Sequence, residues 1–409
     1  MRALVADLSS LARVAFTAAA TRVRPGAAWS RGGILAMEEV QPPEPPGPGW
    51  VRVRPTLTGI CGSDLKLLHG TGFSPLLTAY NPERRAVLGH ELTGVVEVTG
   101  PGTTTVREGD RVLVEPTLWC RHKGLPECSR CRAGEGHLCE NLSRAGALCP
   151  GQGIGFSTVV GGGWSEGVLA HESMLLDAGA IPETRAVLAE PAAVALHAAL
   201  RWRGDGDRVA VIGPGTIGLL TVAALRRLHP ALDISVVGAP SSSPRPFGAD
   251  DAVAAGADRV WTRAPAEVLA LVAAHTGGTL LRPRVGRLPA LDRGLDAVFD
   301  CIGLPSTIDL ALRMLRARGT LVLVGTAGRQ RVDWSLVWWR ELSVVGSVVY
   351  GREPDGSRTF ETVRDWLGDP AYHVDRVLTH RFALDDYAEA LSTAAAGPAA
   401  GAIKVALTV

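Results

Sequence analysis

The stretch "WVRVRP" (50–55) alternates apolar and basic side chains, the period-two pattern of a strand with one face buried. It follows the run "QPPEPPGPG", which breaks regular structure and reads as a turn or linker. Between residues 86 and 115, "AVLGHELTGVVEVTG" and "DRVLVEP" are short β-branched runs parted by glycine-rich turns. With residues 151–176 they predict a β-rich unit built from many short strands. The rhythm changes near residue 186. "AVLAEPAAVALHAALRW" has helical spacing after Pro191, and "DRVAVIGPGTIGLLTVAALRRL" is an apolar strand, a glycine turn and an apolar helix. "DISVVG", "GLDAVFDCIG" and "GTLVLVG" are apolar runs that end in glycine, with helical segments between some of them. Strands buried on both faces of a parallel sheet read this way. Residues 276–294 have little periodicity and are expected to form a loop insertion. "ELSVVGSVVYG" closes the α/β region, and "THRFALDDYAEALSTA" predicts a strand followed by an amphipathic helix. A chain of 409 residues exceeds the size at which one core keeps growing, so two domains are expected.

Composition narrows the function classes. The 42 basic residues are balanced by 41 acidic ones, which argues against a polyanion-binding surface and so against nucleic acid as a partner. Nearly all the basic residues are arginine; lysine occurs only at Lys66, Lys123 and Lys404. No uninterrupted apolar run is long enough to span a bilayer, so no membrane association is expected. The N-terminal "MRALVADLSSLARVAFTAAA" superficially resembles a signal peptide, but Asp7 and Arg13 interrupt its apolar stretch, and a cytoplasmic location is the expectation. Five of the seven cysteines lie between Cys120 and Cys149, which favours metal over disulfides.

"VAVIGPGTIG" sets Gly213, Gly215 and Gly218 in G-x-G-x-x-G register between a strand and a helix. The first glycine makes the tight turn, the second lets backbone approach a pyrophosphate, and the third permits close helix–strand packing. The N–H groups at the helix start, around Thr216 and Ile217, then bind the anion. The motif alone is a weak signal; its flanking strand and helix strengthen the dinucleotide reading over an ordinary glycine-rich turn. An NAD site wants an acid at the end of the next strand, yet "ISVVGAPSSSPR" puts Gly238 or Ala239 there. Asp233 precedes that strand and belongs to its other end. Ser241, Ser242, Ser243 and Arg245 follow it, which favours a 2′-phosphate and hence NADP; the alternative is a solvated loop without selectivity.

"CRHKGLPECSRCRAGEGHLC" supplies Cys120, Cys128, Cys131 and Cys139, the complement of a closed tetrahedral zinc site. Cys120 sits unusually far upstream, and His122 or His137 could take a ligand's place. A filled set leaves no open position, so this zinc would be structural. A catalytic zinc needs about three protein ligands and a free position. Outside the lobe the candidates are Cys61 in "GICGSDLKLLHG", His90 and Glu91 in "GHELTG", and Glu190 in "LAEPAAVALHA".

The order "GxCGSD", "GHExxG", four-cysteine lobe, "EP" acid and glycine fingerprint resembles the zinc-dependent medium-chain dehydrogenase/reductase family, nearest its sorbitol, threonine and glucose dehydrogenase branches. That resemblance implies a GroES-like β-rich catalytic domain over 1–188, to which 351–409 returns, and a Rossmann doubly wound domain over 189–350. It implies Cys61, His90 and Glu91 as ligands of a catalytic zinc, with Glu190 as a ligand or holding the zinc-bound water. Asp64 would orient His90, and Ser63 would hydrogen-bond the alcohol oxygen and pass its proton outward. The activity implied is NAD(P)-linked oxidation of a secondary alcohol of a polyol, sugar, aminocyclitol or hydroxy amino acid, or the reverse reduction, by a homodimer or homotetramer. The rivals are a zinc-free quinone or enoyl reductase of the same fold and a catalytically silent zinc-stabilised binding protein. Departures from the family pattern are Lys66, where some relatives carry histidine, the longer Cys120–Cys128 interval, the N-terminal segment and the 276–294 stretch. His69, His171 and His197 are read as structural.

Overall fold

The strand signalled by "WVRVRP" runs from Trp50 to Ile60 and is the spine of the first half of the molecule. A computed structural model describes residues 1–69, 84–142, 144, 153–157, 159–243, 245–284 and 288–409. The chain divides into two compact units, Met1–Ala193 with Tyr350–Pro370 and Leu378–Val409, and Val194–Val349 with Ala371–Val377. The sequence reading draws its boundaries at 188 and 350; the segment Ala371–Val377 packs with the second unit.

In the first unit, β1 (Arg2–Asp7), β2 (Leu35–Glu39) and β4 (Arg85–Val87) form a three-stranded antiparallel sheet. The larger sheet has the order β17 (Leu378–Ala383), β18 (Lys404–Thr408), β3 (Trp50–Ile60), β5 (Leu92–Thr99), β6 (Arg111–Val114) and β8 (Leu175–Asp177), with β7 (Val168–His171) also on β3. Its pairs are antiparallel except β17–β18. Inward alternation buries Trp50, Val51, Val53, Leu92, Val96, Val112 and Val114 in one core. Two helices matter for the site, α1 (Leu11–Ala20) and α2 (Gly62–His69).

The second unit holds a six-stranded parallel sheet in the order β11 (Arg259–Trp261), β10 (Asp233–Val237), β9 (Arg208–Ile212), β14 (Leu295–Asp300), β15 (Leu315–Leu323) and β16 (Ser343–Gly346). The order reverses at β9, whose C-terminal end is a topological switch point where open α/β sheets bind ligands. Residues 276–294, expected as loop, instead carry the short antiparallel pair β12 (Leu280–Leu281) and β13 (Ala290–Leu291). A two-residue strand is too short to leave a period in the sequence.

Candidate functional site

Cys61 lies at the hand-over from β3 to α2, and Asp64 makes that turn rigid. Asp64 Oδ2 accepts the Cys61 N–H at 2.9 Å, the back-reaching half of a capping box. Its other oxygen, Oδ1, stands 3.4 Å from His90 Nδ1, and neither atom has a hydrogen bond to any described residue. Asp64 is fully buried, so this pairing fixes the imidazole with its other nitrogen presented away from the carboxylate. His90 follows Gly89, whose φ of +92° suits glycine, and a side chain there would meet the Trp164 indole at 2.4 Å. Trp164 Nε1 closes the loop by donating to Gly59 O at 3.1 Å. Burial lowers the basicity of His90, but the Asp64 carboxylate and then Cys61 outweigh it and hold the ring well above its ordinary range.

Glu91 is held at both ends. Its carbonyl accepts from Gly59 N at 2.7 Å and Thr58 Oγ1 at 3.1 Å. Its carboxylate accepts from Lys404 Nζ at 2.7 and 2.6 Å, and the same ammonium donates to Ile60 O at 3.1 Å. Both side chains are buried, and although burial alone would lower the Lys404 pKa, Glu91 and Cys61 raise it, so the ammonium stays charged. One ligating atom each of Cys61, His90 and Glu91 lie within 4.8 Å of one another. A thiol, an imidazole and a carboxylate converging with the histidine's far nitrogen braced by an acid fit a divalent cation of zinc's kind. Glu190 lies outside that 4.8 Å set, on the first turn of α3 (Ala189–Leu200). Burial pushes its carboxyl up to about 7, against the pull of the His90 charge. Ser63 is partly exposed on the α2 turn; burial lowers the pKa of half-buried Lys66, while Cys61 raises it.

The four thiols of Cys120, Cys128, Cys131 and Cys139 also converge within 4.8 Å, with Cys120 Sγ and Cys139 Sγ 3.5 Å apart. Burial opposes ionisation of Cys128, Cys131 and Cys139. At Cys128 the backbone N–H groups of Cys131 and Glu140 overcome it and bring the thiol down to about 6, while Cys139 is pushed up to about 11. Four thiols gathered this closely are the donor set of a closed tetrahedral site, so they fit zinc. His122 takes no part: its Nδ1 accepts from Trp119 N at 3.0 Å and its Nε2 meets Ser173 Oγ at 3.0 Å. His137 is also outside the set. Lys123 is fully buried, donating to Asn141 O at 3.0 Å and Leu142 O at 3.2 Å, and Asn141 Nδ2 donates to Cys120 Sγ at 3.2 Å.

In the second unit, Gly213 ends β9 with φ +100°, and Gly215 precedes α4 (Thr216–Leu228), which begins with Thr216 and Ile217. A side chain at Gly218 would sit 1.8 Å from Gly213 O, so the turn and the helix touch backbone to backbone. Asp233 stands opposite Arg208 at the far end of β9 and is tied to Arg259 and His275. The near end of β10 carries Gly238 and no acid. In the loop beyond it, Ser243 N donates to Ser241 Oγ at 3.1 Å and Arg245 N to Ser243 Oγ at 3.2 Å. Gly248 brings this loop back against the glycine turn, its Cβ direction pointing 2.6 Å from Pro214 O.

Comparison with known proteins agrees with this division of labour. Residues 47–182 match the alcohol dehydrogenase GroES-like domain and residues 216–369 the zinc-binding dehydrogenase domain. An L-idonate 5-dehydrogenase of Vitis vinifera is 30% identical over 93% of this chain and 93% of its own length. The chain belongs to the medium-chain dehydrogenase/reductase family of alcohol dehydrogenases. An L-threonine 3-dehydrogenase of Pyrococcus abyssi is 27% identical, covering 88% of this chain and 91% of that protein. The solved structure of a zinc-binding dehydrogenase from Sinorhizobium meliloti 1021, bound to NADP, has a TM-score of 0.71 and 27% identity over 92% of this chain and 96% of that one. This medium-chain dehydrogenase is therefore an oxidoreductase with a GroES-like unit and a parallel-sheet cofactor unit.

Sequence reasoning missed Lys404 at the site, and it missed a buried tyrosine. Lys404 lies more than three hundred residues from Glu91 in the chain; its one signal is the rarity of lysine among 42 basic residues. Tyr350 is 1% exposed, and its hydroxyl makes no hydrogen bond to a described residue. Burial raises its pKa well above the phenol range, and the neighbouring charges of Glu190 and Glu115 raise it further. Nothing local in "SVVYG" marks that hydroxyl.

Proposed function

We propose that this chain is a zinc-dependent, NAD(P)-linked dehydrogenase that interconverts a secondary alcohol of a polyol, sugar, aminocyclitol or hydroxy amino acid with its ketone. The observation that carries the reading is the convergence of Cys61, His90 and Glu91 within 4.8 Å in front of Asp64, apart from a complete tetrathiol lobe. When bound, zinc at the first set supplies Lewis-acid polarisation of the substrate oxygen, and the nicotinamide supplies the hydride acceptor. Cys61, His90 and Glu91 would hold the metal, with Glu190 as a further oxygen donor; Cys120, Cys128, Cys131 and Cys139 would hold a second, structural zinc. Asp64 keeps the His90 ring in one orientation. Lys404 compensates the Glu91 charge, so two carboxyl groups, Glu91 and Glu190, can face one small space. Glu190 is buried and brings the second carboxyl group to that space. Ser63 hydrogen-bonds the substrate hydroxyl and passes its proton outward.

NADP is the favoured cofactor, held by Gly213, Gly215, Thr216, Ile217 and Gly218 at its pyrophosphate and by Ser241 and Arg245 at its 2′-phosphate. The absence of an acid at the end of β10 supports this choice. A second copy of the chain covers β16, an edge strand whose surroundings expose Trp338, Trp339, Val344 and Val348. A panel of polyols, sugar alcohols and hydroxy amino acids, assayed for reduced nicotinamide with NADP and NAD in parallel, tests the reading. Turnover with at least one secondary alcohol, and a higher KM for NADP but not NAD in Arg245→Ala, is the expected result. Reduction of quinones or enones alone, with no alcohol oxidised, would overturn it.

A further inference from the structure

β1 and β2 are antiparallel neighbours in register from Arg2↔Glu39 to Ala6↔Leu35. Such a pair needs a connection of about two to five residues. Here residues 8–34 intervene, and they fold into α1 and a 3₁₀ turn over Pro25–Trp29 that is anchored at both ends. Ser10 Oγ caps α1 by accepting from Arg13 N at 3.3 Å, and Asp7 N donates to Ile34 O at 2.8 Å.

The 3₁₀ turn ends in Trp29, 5% exposed, which touches two separate segments of the first unit. Its indole stacks on the His69 imidazole at the last residue of α2, with ring centroids 5.5 Å apart and planes 28° apart. Its Nε1 donates to Ser392 Oγ at 3.1 Å, on the helix Tyr387–Ala396. Trp29, Leu67, Leu68 and Leu391 share one buried cluster. Both segments carry groups of the candidate metal site: α2 follows Cys61 directly and carries Ser63 and Asp64, and the C-terminal helix is followed in the chain by β18 with Lys404, which grips Glu91. An eight-residue helix that begins with glycine has no standing of its own and takes its position from what packs on it.

We propose that residues 8–34 are a brace for the metal site, with Trp29 as the positioning residue that sets α2, and so Cys61, against the Lys404–Glu91 pair. The link to catalysis rests on the metal-dependent dehydrogenase reading; the mechanical link does not. The test uses the full chain as Trp29→Leu, which removes both ring stacking and the N–H, and Trp29→Phe, which keeps the ring. Hydrogen exchange of peptide 62–69 is followed together with the cobalt(II) spectrum of the substituted protein and with kcat and KM. Trp29→Leu should speed exchange in 62–69 without affecting β9 and β14, shift the cobalt bands of the Cys61 site but not those of the tetrathiol lobe, and lower kcat about tenfold or more with the KM for cofactor unchanged. Trp29→Phe should restore most of each. If Trp29→Leu is too unstable to purify, Trp29→Met takes its place in the same measurements: faster exchange in 62–69 supports the brace, and parent-like exchange overturns it. Wild-type exchange in 62–69 and wild-type cobalt bands in Trp29→Leu would overturn the brace, whereas a wild-type protein that oxidises no alcohol would overturn the dehydrogenase reading and leave the exchange result to decide the brace.

Discussion

Replacing Lys404 with Met probes the least expected contact in the site. Lys404 and Glu91 are 4% and 1% exposed, and the ammonium makes two bonds to the carboxylate, at 2.7 and 2.6 Å, and one to Ile60 O at 3.1 Å. Met matches the length of the stem but leaves the Glu91 carboxylate buried without its cation. Breaking a buried pair from one side costs about 3–5 kcal/mol, because the remaining charge is uncompensated. For a unit of this size that amounts to roughly 6–20 °C in Tm. Differential scanning calorimetry of protein carrying zinc in the tetrathiol lobe alone reads it, so that no second cation stands beside Glu91. The double variant Glu91→Leu, Lys404→Met should recover most of the loss, because replacing both partners with apolar groups is close to neutral. A Lys404→Met protein within about 1 kcal/mol of the parent would refute the reasoning, since an exposed pair would behave that way.

Gly59→Ala should act on the same carboxylate from the other side. The added Cβ would lie 1.9 Å from Glu91 Oε2, so the variant should lose about 1–3 kcal/mol and bind zinc more weakly at the Cys61 site while the lobe stays loaded; urea unfolding and metal titration check both. His122 gives a pH dependence. Burial, then the His171, Arg121, Arg358 and Lys123 charges, hold its pKa well below 6.5, so the neutral ring contributes stability above pH 6.5 that is lost as pH falls toward the lower folded value. Unfolding free energy should fall with pH below about 6.5 in the parent, and His122→Asn should flatten that slope, as urea midpoints at several pH values would reveal.

The parts legible in the sequence are those whose physics is local. Gly213 and Gly218 announce a turn because a side chain at either would collide, and the strand and helix beside them are periodic. Cys128, Cys131 and Cys139 are close in the chain as well as in space. Cys61, His90 and Glu91 were individually weak and gained meaning only as an ordered set within a family pattern. What stayed hidden is long-range. Lys404 reaches Glu91 because β18 pairs with β3, with Val405 opposite Ile60, a register no local pattern encodes. Trp29 meets Ser392 across 363 residues of chain, a contact no local pattern marks. The strands over 276–294 were missed because two residues carry no period.

The central claim is that Cys61, His90 and Glu91 hold a second, working metal besides the one in the tetrathiol lobe. Zinc per chain, measured by atomic emission on the purified parent and on Cys61→Ser alongside alcohol turnover, tests it most directly. Two zinc ions are expected in the parent and one in Cys61→Ser, which should lose turnover with the fold intact. Unchanged zinc and unchanged turnover in Cys61→Ser would contradict it.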